Sequence, residues 1–137
     1  MAMERMIEVA AAIVENDQGQ ILIARRKPGN SQGGLWEFPG GKLEPSESPE
    51  ACLVRELQEE MGIEIVPYAL FGVNEHDYEN ICIKLIAYLA KYSHGEIRLT
   101  DHDDYRWVER WELRDFEWAP ADVGFVEKLK SEINEYR

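Results

Sequence analysis

The sequence predicts an α+β fold, in the form of an α/β/α sandwich with a mixed β-sheet. The first observation is the length of 137 residues, which suits one domain over residues 1–137 with a sizeable buried core. The second is that apolar runs of strand and helix type follow one another without the regular alternation of βαβ units. The third is a composition of 45% apolar and 31% charged residues, which is typical of globular proteins and excludes disordered and disulfide-dense classes.

The N-terminal part predicts a β-hairpin followed by a loop. Ile7 to Val14 and Gln20 to Ala24 are apolar runs of strand type, and the Asn, Asp and Gly of residues 16–19 favour a turn between them. Residues 27–34 are polar and contain glycines, which indicates a loop leading to the short apolar piece 35–38.

A helix is predicted next, from its own start and stop signals. Ser48 and Pro49 suit the N-cap and the first helical position, and Gly62 suits the position after the last residue, Met61. The helix would make about three and a half turns. Its apolar face is predicted to hold Leu53, Val54, Leu57 and Met61.

The second half predicts three strands and a closing helix. Ile63 to Val73 and Ile81 to Ala90 are rich in β-branched and aromatic residues, with the polar residues 74–80 between them, and Tyr105 to Val108 is a further short strand. An amphipathic helix is predicted from Pro120, with Val126, Leu129 and Ile133 on its apolar face.

The charge balance limits the partners. Fifteen basic and 27 acidic residues give a net charge of −12, which repels nucleic-acid polymers and anionic membranes. A small phosphate ester remains compatible, because divalent cations can reverse the sign of a site. We therefore expect a small-molecule partner, no nucleic acid polymer and no membrane.

Cysteine usage and the N-terminus indicate the cytoplasm. Cys52 and Cys82 show no metal-binding spacing and are expected to be reduced core residues rather than a disulfide. The first fifteen residues lack the features of a signal peptide, and no apolar stretch approaches the length of a membrane span.

The predicted helix carries an acidic stripe. Glu56, Glu59 and Glu60 lie at positions i, i+3 and i+4, within an arc of about 100°. On the helix pattern alone, a solvated acidic face is the simpler interpretation.

The residues around this stripe favour a functional interpretation. Residues 41–63, GKLEPSESPEACLVRELQEEMGI, match the pattern G-x5-E-x7-R-E-U-x-E-E-x-G-U, where U is apolar, at every fixed position. Seven positions demand one residue type, so a chance match at a given start is on the order of 10⁻⁸ at about 7% usage each. The chain resembles the Nudix hydrolase family, and within it the branch of MutT and the CTP pyrophosphohydrolases. The resemblance implies a Nudix fold with a loop-helix-loop motif.

The resemblance also implies a divalent metal cofactor, Mg²⁺ or Mn²⁺. It assigns the metal to Glu56, Glu59 and Glu60 with the backbone carbonyl of Gly40, and hard cations do prefer such oxygen ligands. Two further residues are implied to act around the metal: Arg55, which orients the glutamates, and Glu47, which ties the loop to the helix. A carboxylate at position 47 would also complement the helix dipole, and that interpretation is left open.

Similar enzymes supply one more acid from a loop about six residues before a Trp. Asp101 lies at that offset from Trp107, while Asp103 and Asp104 are open alternatives, as is an acidic turn without a role. His102 is expected to be a surface loop residue.

Six residues fall at substrate-binding positions of the resemblance: Arg25, Arg26, Phe38, Lys42, Tyr78 and Asp122. One arginine would reach the phosphates or the base, although a solvent-facing strand end is an alternative. The aromatic residues would stack on the base, unless they are plain core. Asp122, as an ionised carboxylate, would accept hydrogen bonds from the base, or would only complement the start of the last helix.

The implied activity is hydrolysis of a (deoxy)nucleoside triphosphate to the monophosphate and pyrophosphate. A MutT-like enzyme that removes oxidised purine nucleotides such as 8-oxo-dGTP is expected first, and a (d)CTP or methyl-dCTP pyrophosphohydrolase is the alternative. A catalytically silent, ligand-sensing module is the alternative from another class. The chain is expected to be a monomer or a homodimer.

Overall fold

The computed structural model describes residues 5–29, 32–78 and 80–135. The strands in these ranges are β1 (Arg5–Glu15), β2 (Ile21–Arg26), β3 (Trp36–Glu37), β4 (Gly40–Lys42), β5 (Glu64–Tyr78), β6 (Ile81–His94) and β7 (His102–Val108). The helices are α1 (Pro49–Met61) and α2 (Val123–Glu135), and two short 3₁₀ turns cover Arg110–Asp115 and Pro120–Asp122.

One mixed β-sheet is built around β1. It runs in the order β3-β2-β1-β6-β5, with β4 paired to β1 and β7 paired to β2. β1 and β6 are parallel along the whole of β1, from Arg5 opposite Ile81 to Glu15 opposite Lys91, and the other pairs are antiparallel. The predicted mixed sheet and the N-terminal hairpin are therefore confirmed.

A helix covers each face of the sheet, because successive side chains of a strand point to opposite faces. On one face, Leu53 and Leu57 of α1 pack in a cluster with Ala12 of β1. On the other face, Phe125 of α2 packs in a cluster with Ile13 of β1. The predicted α/β/α sandwich is confirmed.

The predicted limits of α1 are also confirmed. The Ser48 hydroxyl accepts a hydrogen bond from Ala51 N at 3.1 Å, and Gly62 ends the helix in the left-handed region with φ of 68°, where glycine is favoured. Val54 is wrong as a member of the apolar face, since it is exposed and Cys52 is buried in its place.

Some strand limits differ from the sequence prediction, and one strand was not predicted. Residues 74–78 continue β5 instead of forming a loop, because their backbone pairs with β6 as far as Tyr78 opposite Ile81. β7 begins at His102, earlier than predicted, through its pairing with β2. β4 was not predicted, since its two glycines carry no periodicity, and its pairing with the backbone of β1 defines it.

Cys52 and Cys82 are both buried, as predicted for core residues. No helix in the described part of the chain is long and apolar enough to cross a membrane.

Candidate active site

The acidic stripe of α1 is not uniformly solvated. The side chain of Glu59 is 61% exposed, whereas that of Glu56 is 14% exposed. Both carboxylates accept hydrogen bonds from Nη1 of Arg55, at 2.7 Å for Glu56 and 3.3 Å for Glu59. One guanidinium group therefore holds two of the three glutamates on this face.

The same guanidinium group binds the loop before α1. Arg55 Nε and Nη2 donate to the two oxygens of Glu47 at 2.8 and 2.9 Å, a bidentate geometry. Glu47 Oε1 also accepts from Glu44 N at 2.9 Å. These hydrogen bonds lower the pKa of Glu47 to about 2, so the carboxylate stays ionised and fixes the loop to the helix.

Glu60 differs from its two neighbours on the stripe. Its Oε2 is buried and has no hydrogen-bond partner among the described residues. Burial, followed by the charges of Glu56 and Asp101, raises the pKa of Glu60 to about 9. A buried carboxylate that lacks a cationic partner is unfavourable, and a bound cation would remove this penalty.

The donor set fits a hard divalent cation. The nearby groups offer carboxylate oxygens and the backbone carbonyl of Gly40, which are ligands that Mg²⁺ and Mn²⁺ accept. A Cβ atom at Gly41 would lie 2.4 Å from Cδ of Glu56, so glycine at this position lets Glu56 reach the loop. No three His, Cys, Asp or Glu side chains within the described ranges converge as a formed metal cluster. Arg55 pairs with two of the three glutamates, Glu56 and Glu59.

A cavity of about 570 Å³ opens beside Glu60. Eight of the predicted site residues line it: Arg26, Phe38, Gly40, Lys42, Glu60, Tyr78, Asp101 and Asp122. Its lining is mixed: Glu60 of α1, Lys42 of β4 and Asp101 are polar, whereas Ile81, Ile83 and Leu85 of β6 are apolar. The volume and this mixed lining suit a ligand with an anionic part and a flat apolar part.

The three candidate loop acids have different surroundings. Asp101 lines the cavity, whereas Asp103 binds Arg25 Nε at 2.8 Å and Asp104 lies 3.2 Å from Arg106 Nη2. Asp101 is thus the loop acid that faces Glu60.

Arg25 and Arg26 also separate, because neighbouring residues of a strand point in opposite directions. Arg26 lines the cavity, whereas Arg25 pairs with Asp103 and stacks over Trp36, with Cζ 5.8 Å from the ring centroid. Arg26 is therefore the arginine placed for the predicted contact with the substrate, while the guanidinium group of Arg25 is engaged by Asp103 and Trp36.

His102 is not the surface residue that the sequence predicted. It is 3% exposed, and its Nε2 lies 2.8 Å from Oε2 of Glu37. Sequence reasoning missed Glu37, which lines the cavity. The available signal was a single acid between the apolar residues Trp36 and Phe38.

Both predicted aromatic residues line the cavity. Phe38 is buried and packs on Trp118, with ring centroids 5.0 Å apart, so it belongs to the core as well as to the cavity wall. Tyr78 is half-buried at the end of β5.

Asp122 also lines the cavity. It is 4% exposed, and its Oδ1 accepts a hydrogen bond from Phe38 N at 3.2 Å. Burial, followed by the charge of Glu37, raises the pKa of Asp122 well above its usual range. Desolvation thus disfavours the ionised form on which the predicted acceptor role depends. A protonated carboxyl can donate as well as accept.

The fold and this arrangement of acids define the class of protein. The chain matches the family model of the NUDIX domain over residues 5–129, and it belongs to the Nudix family, which confirms the resemblance.

Similar proteins fall in the predicted branch. The chain is 41% identical over 123 residues to the CTP pyrophosphohydrolase of Escherichia coli, covering 90% of each chain. It is 32% identical over 133 residues to the 8-oxo-dGTP diphosphatase of Haemophilus influenzae, covering 97% of this chain and 98% of that protein. The crystal structure of the MutT protein from Methanosarcina mazei superposes with a TM-score of 0.84 at 27% identity, covering 94% and 96% of the two chains.

Proposed function

We propose that this protein hydrolyses a (deoxy)nucleoside triphosphate to the nucleoside monophosphate and pyrophosphate. The observation that carries the proposal is the cavity itself, which is lined by the acids Glu60 and Asp101 and also by Phe38, Tyr78 and Asp122. A triphosphate fits beside Glu60 and Asp101 if a cation is bound there, and a base fits beside the aromatic residues. The activities named for the two relatives support this class of substrate.

A divalent cation, Mg²⁺ or Mn²⁺, is part of the proposal. Its ligands would be the Gly40 carbonyl and four carboxylates: Glu56, Glu59, Glu60 and Asp101. When bound, it supplies charge neutralisation for the phosphates and acidifies the attacking water.

The chain's own residues bind and orient the substrate. Arg55, fixed by Glu47, holds the carboxylates of Glu56 and Glu59 in position. Arg26 and Lys42 line the cavity with positive charge for the phosphates. We assign the proton of the attacking water to Glu56, with the loop acid Asp101 as the alternative base.

The bond that breaks joins the β-phosphorus to the oxygen between the α- and β-phosphorus atoms. The water oxygen attacks the β-phosphorus, its proton passes to the carboxylate base, and the monophosphate leaves. Hydrolysis in ¹⁸O-water should therefore label pyrophosphate and leave the monophosphate unlabelled, as measured by mass spectrometry. Label in the monophosphate would indicate attack at the α-phosphorus, and orthophosphate as the first product would contradict the proposal.

Oxidised purine nucleotides such as 8-oxo-dGTP are proposed as the best substrates, followed by (d)CTP and methyl-dCTP. These activities belong to nucleotide-pool sanitation in the cytoplasm, which protects DNA from damaged precursors. The base is proposed to stack on Phe38 and Tyr78 and to contact Asp122.

Asp122 variants test this part of the proposal. Asp122→Asn should retain kcat/KM for the best base within about fivefold, because an amide donates and accepts as a protonated carboxyl does. Asp122→Ala should lose about 1 to 3 kcal/mol in kcat/KM and flatten the ranking of bases. Initial rates on a panel of triphosphates measure both effects. An unchanged ranking in Asp122→Ala, with only a lower Tm, would reduce Asp122 to a structural role at Phe38 N.

A silent ligand-sensing module is the second candidate. Every acid of the Nudix motif is present, which favours the enzyme. Binding of triphosphates without any turnover would favour the module.

A further inference from the structure

Glu37 lines the cavity and contacts His102, and neither residue has a role in the site described so far. His102 Nε2 lies 2.8 Å from Glu37 Oε2, and Arg26 Nε lies 3.7 Å from Glu37 Oε1. The Glu37 side chain is 19% exposed and the His102 side chain 3% exposed. Removing these polar groups from water is costly unless they are paired.

The position of Glu37 follows from its neighbours in the chain and in space. The next residue, Phe38, donates its N–H to Asp122, the residue proposed to contact the base. The partner, His102, follows Asp101, which lines the cavity near Glu60. Glu37 lines the same cavity, and its charge acts on both Asp122 and Glu60, so it lies near the group proposed for the base and near one proposed for the phosphates. In a nucleotide, the sugar lies between the base and the phosphates.

The hydrogen-bonding capacity of Glu37 indicates what it can bind. An ionised carboxylate only accepts hydrogen bonds, and Oε2 is engaged by His102. Oε1 is 3.7 Å from Arg26, which is longer than a hydrogen bond, so this oxygen can accept from a ligand. Phosphate oxygens carry no donor, whereas a sugar hydroxyl does; the donors of the base are proposed to meet Asp122.

We propose that Glu37 accepts a hydrogen bond from a sugar hydroxyl of the bound nucleotide, and that His102 is a positioning residue which holds Glu37 in place. This inference rests on the proposed function, since it requires a nucleotide in the cavity. It adds recognition of the sugar to that of the phosphates and the base.

The first experiment removes hydroxyl groups from the substrate. Wild-type kcat/KM is measured for the ribo, 2′-deoxy and 2′,3′-dideoxy triphosphates of one base. One of the two hydroxyl deletions should lower kcat/KM by roughly 10- to 100-fold, the scale of a hydrogen bond to a charged group. Equal kcat/KM for all three sugars would overturn the inference and leave the proposed hydrolysis intact. Absence of pyrophosphate release from every triphosphate would instead overturn the proposed function, and the inference with it.

The second experiment removes the acceptor. In Glu37→Ala the same hydroxyl deletion should lower kcat/KM by less than about threefold. Glu37→Gln guards against a folding defect, because the amide oxygen still accepts from His102 and the amide NH₂ then faces the cavity as a donor. It should keep part of the discrimination, because a sugar hydroxyl can also accept a hydrogen bond from this amide. Glu75 is an exposed acid of β5 outside the cavity, and Glu75→Gln is the matched control. It should keep the wild-type ratio of kcat/KM between the substrates with and without the hydroxyl, called the sugar ratio below. A wild-type ratio in both Glu37 variants, or a changed base ranking with that ratio retained, would overturn the inference.

The third experiment tests the positioning role. His102→Leu removes the N–H donor and should reduce the sugar ratio to less than about threefold. His102→Gln, which can still donate to Glu37, should restore part of it. A purely structural role predicts equal ratios in the two variants and in the wild type, whatever their Tm, and that result would overturn the role of His102.

Discussion

Glu60→Gln should lower kcat by roughly 100-fold or more and yet raise the Tm of the metal-free protein. The catalytic loss follows if Glu60 holds the cation, since loss of a group that positions a metal or a proton has this scale. The rise in Tm is expected above about pH 4.5, because burial and the charges of Glu56 and Asp101 oppose ionisation of Glu60 in the folded state. Keeping this carboxyl protonated lowers the stability at such pH values, whereas a neutral amide carries no such cost. Steady-state rates in Mg²⁺ and thermal melts in EDTA measure the two effects.

Two further variants make the result specific. Glu56→Gln should show a similar loss of kcat, whereas Asp104→Asn should keep full activity, since Asp104 pairs with Arg106. Full activity of the wild type in EDTA, or of both glutamine variants in Mg²⁺, would contradict the assigned metal site. A lower Tm for metal-free Glu60→Gln would contradict the electrostatic argument alone.

The stability of the metal-free protein should fall as the pH rises between about 5 and 9. The pKa of Glu60 is raised from 4.5 to about 9 in the folded state. In that window the folded state binds more protons than the unfolded state, so the free energy of unfolding decreases with rising pH. Asp122, whose pKa is also raised, acts in the same direction. Glu47, with its pKa lowered to about 2, stabilises the fold above 4.5 and loses this effect only as the pH falls towards 2.

Millimolar Mg²⁺ should reverse this dependence. A cation at Glu60 favours the ionised carboxylates and binds only the folded state, so the gain in Tm on adding Mg²⁺ should increase with pH. Urea melts at several pH values, with EDTA or MgCl₂, measure the free energy of unfolding. Glu60→Gln is the control and should show a weaker dependence on both pH and Mg²⁺. A Tm that rises with pH in EDTA would refute the buried, unpaired state of Glu60.

Local signals in the sequence were sufficient for α1 and its stripe of acids. Ser48 and Gly62 act within a few residues of the helix ends, and the 3.6-residue period alone places Glu56, Glu59 and Glu60 on one side. The hairpin and the two central strands were also predictable, because β-branched runs and turn residues are local. The ends of the strands were not predictable from local signals. Residues 74–78, for example, are polar and form a strand only through their pairing with β6.

The sequence by itself determined the family, the sandwich fold and the acids of the α1 motif, because these depend on spacing along one helix and on the periodicity of apolar residues. Only the tertiary structure decided which side chains share the cavity. Glu37 and His102 are 65 residues apart, and they meet because β3 and β7 both pair with β2. Asp122 loses its solvent where its segment packs against Phe38. Contacts between residues far apart in the chain, and the burial that they cause, depend on the whole folded chain. A pattern within a few residues therefore cannot predict them.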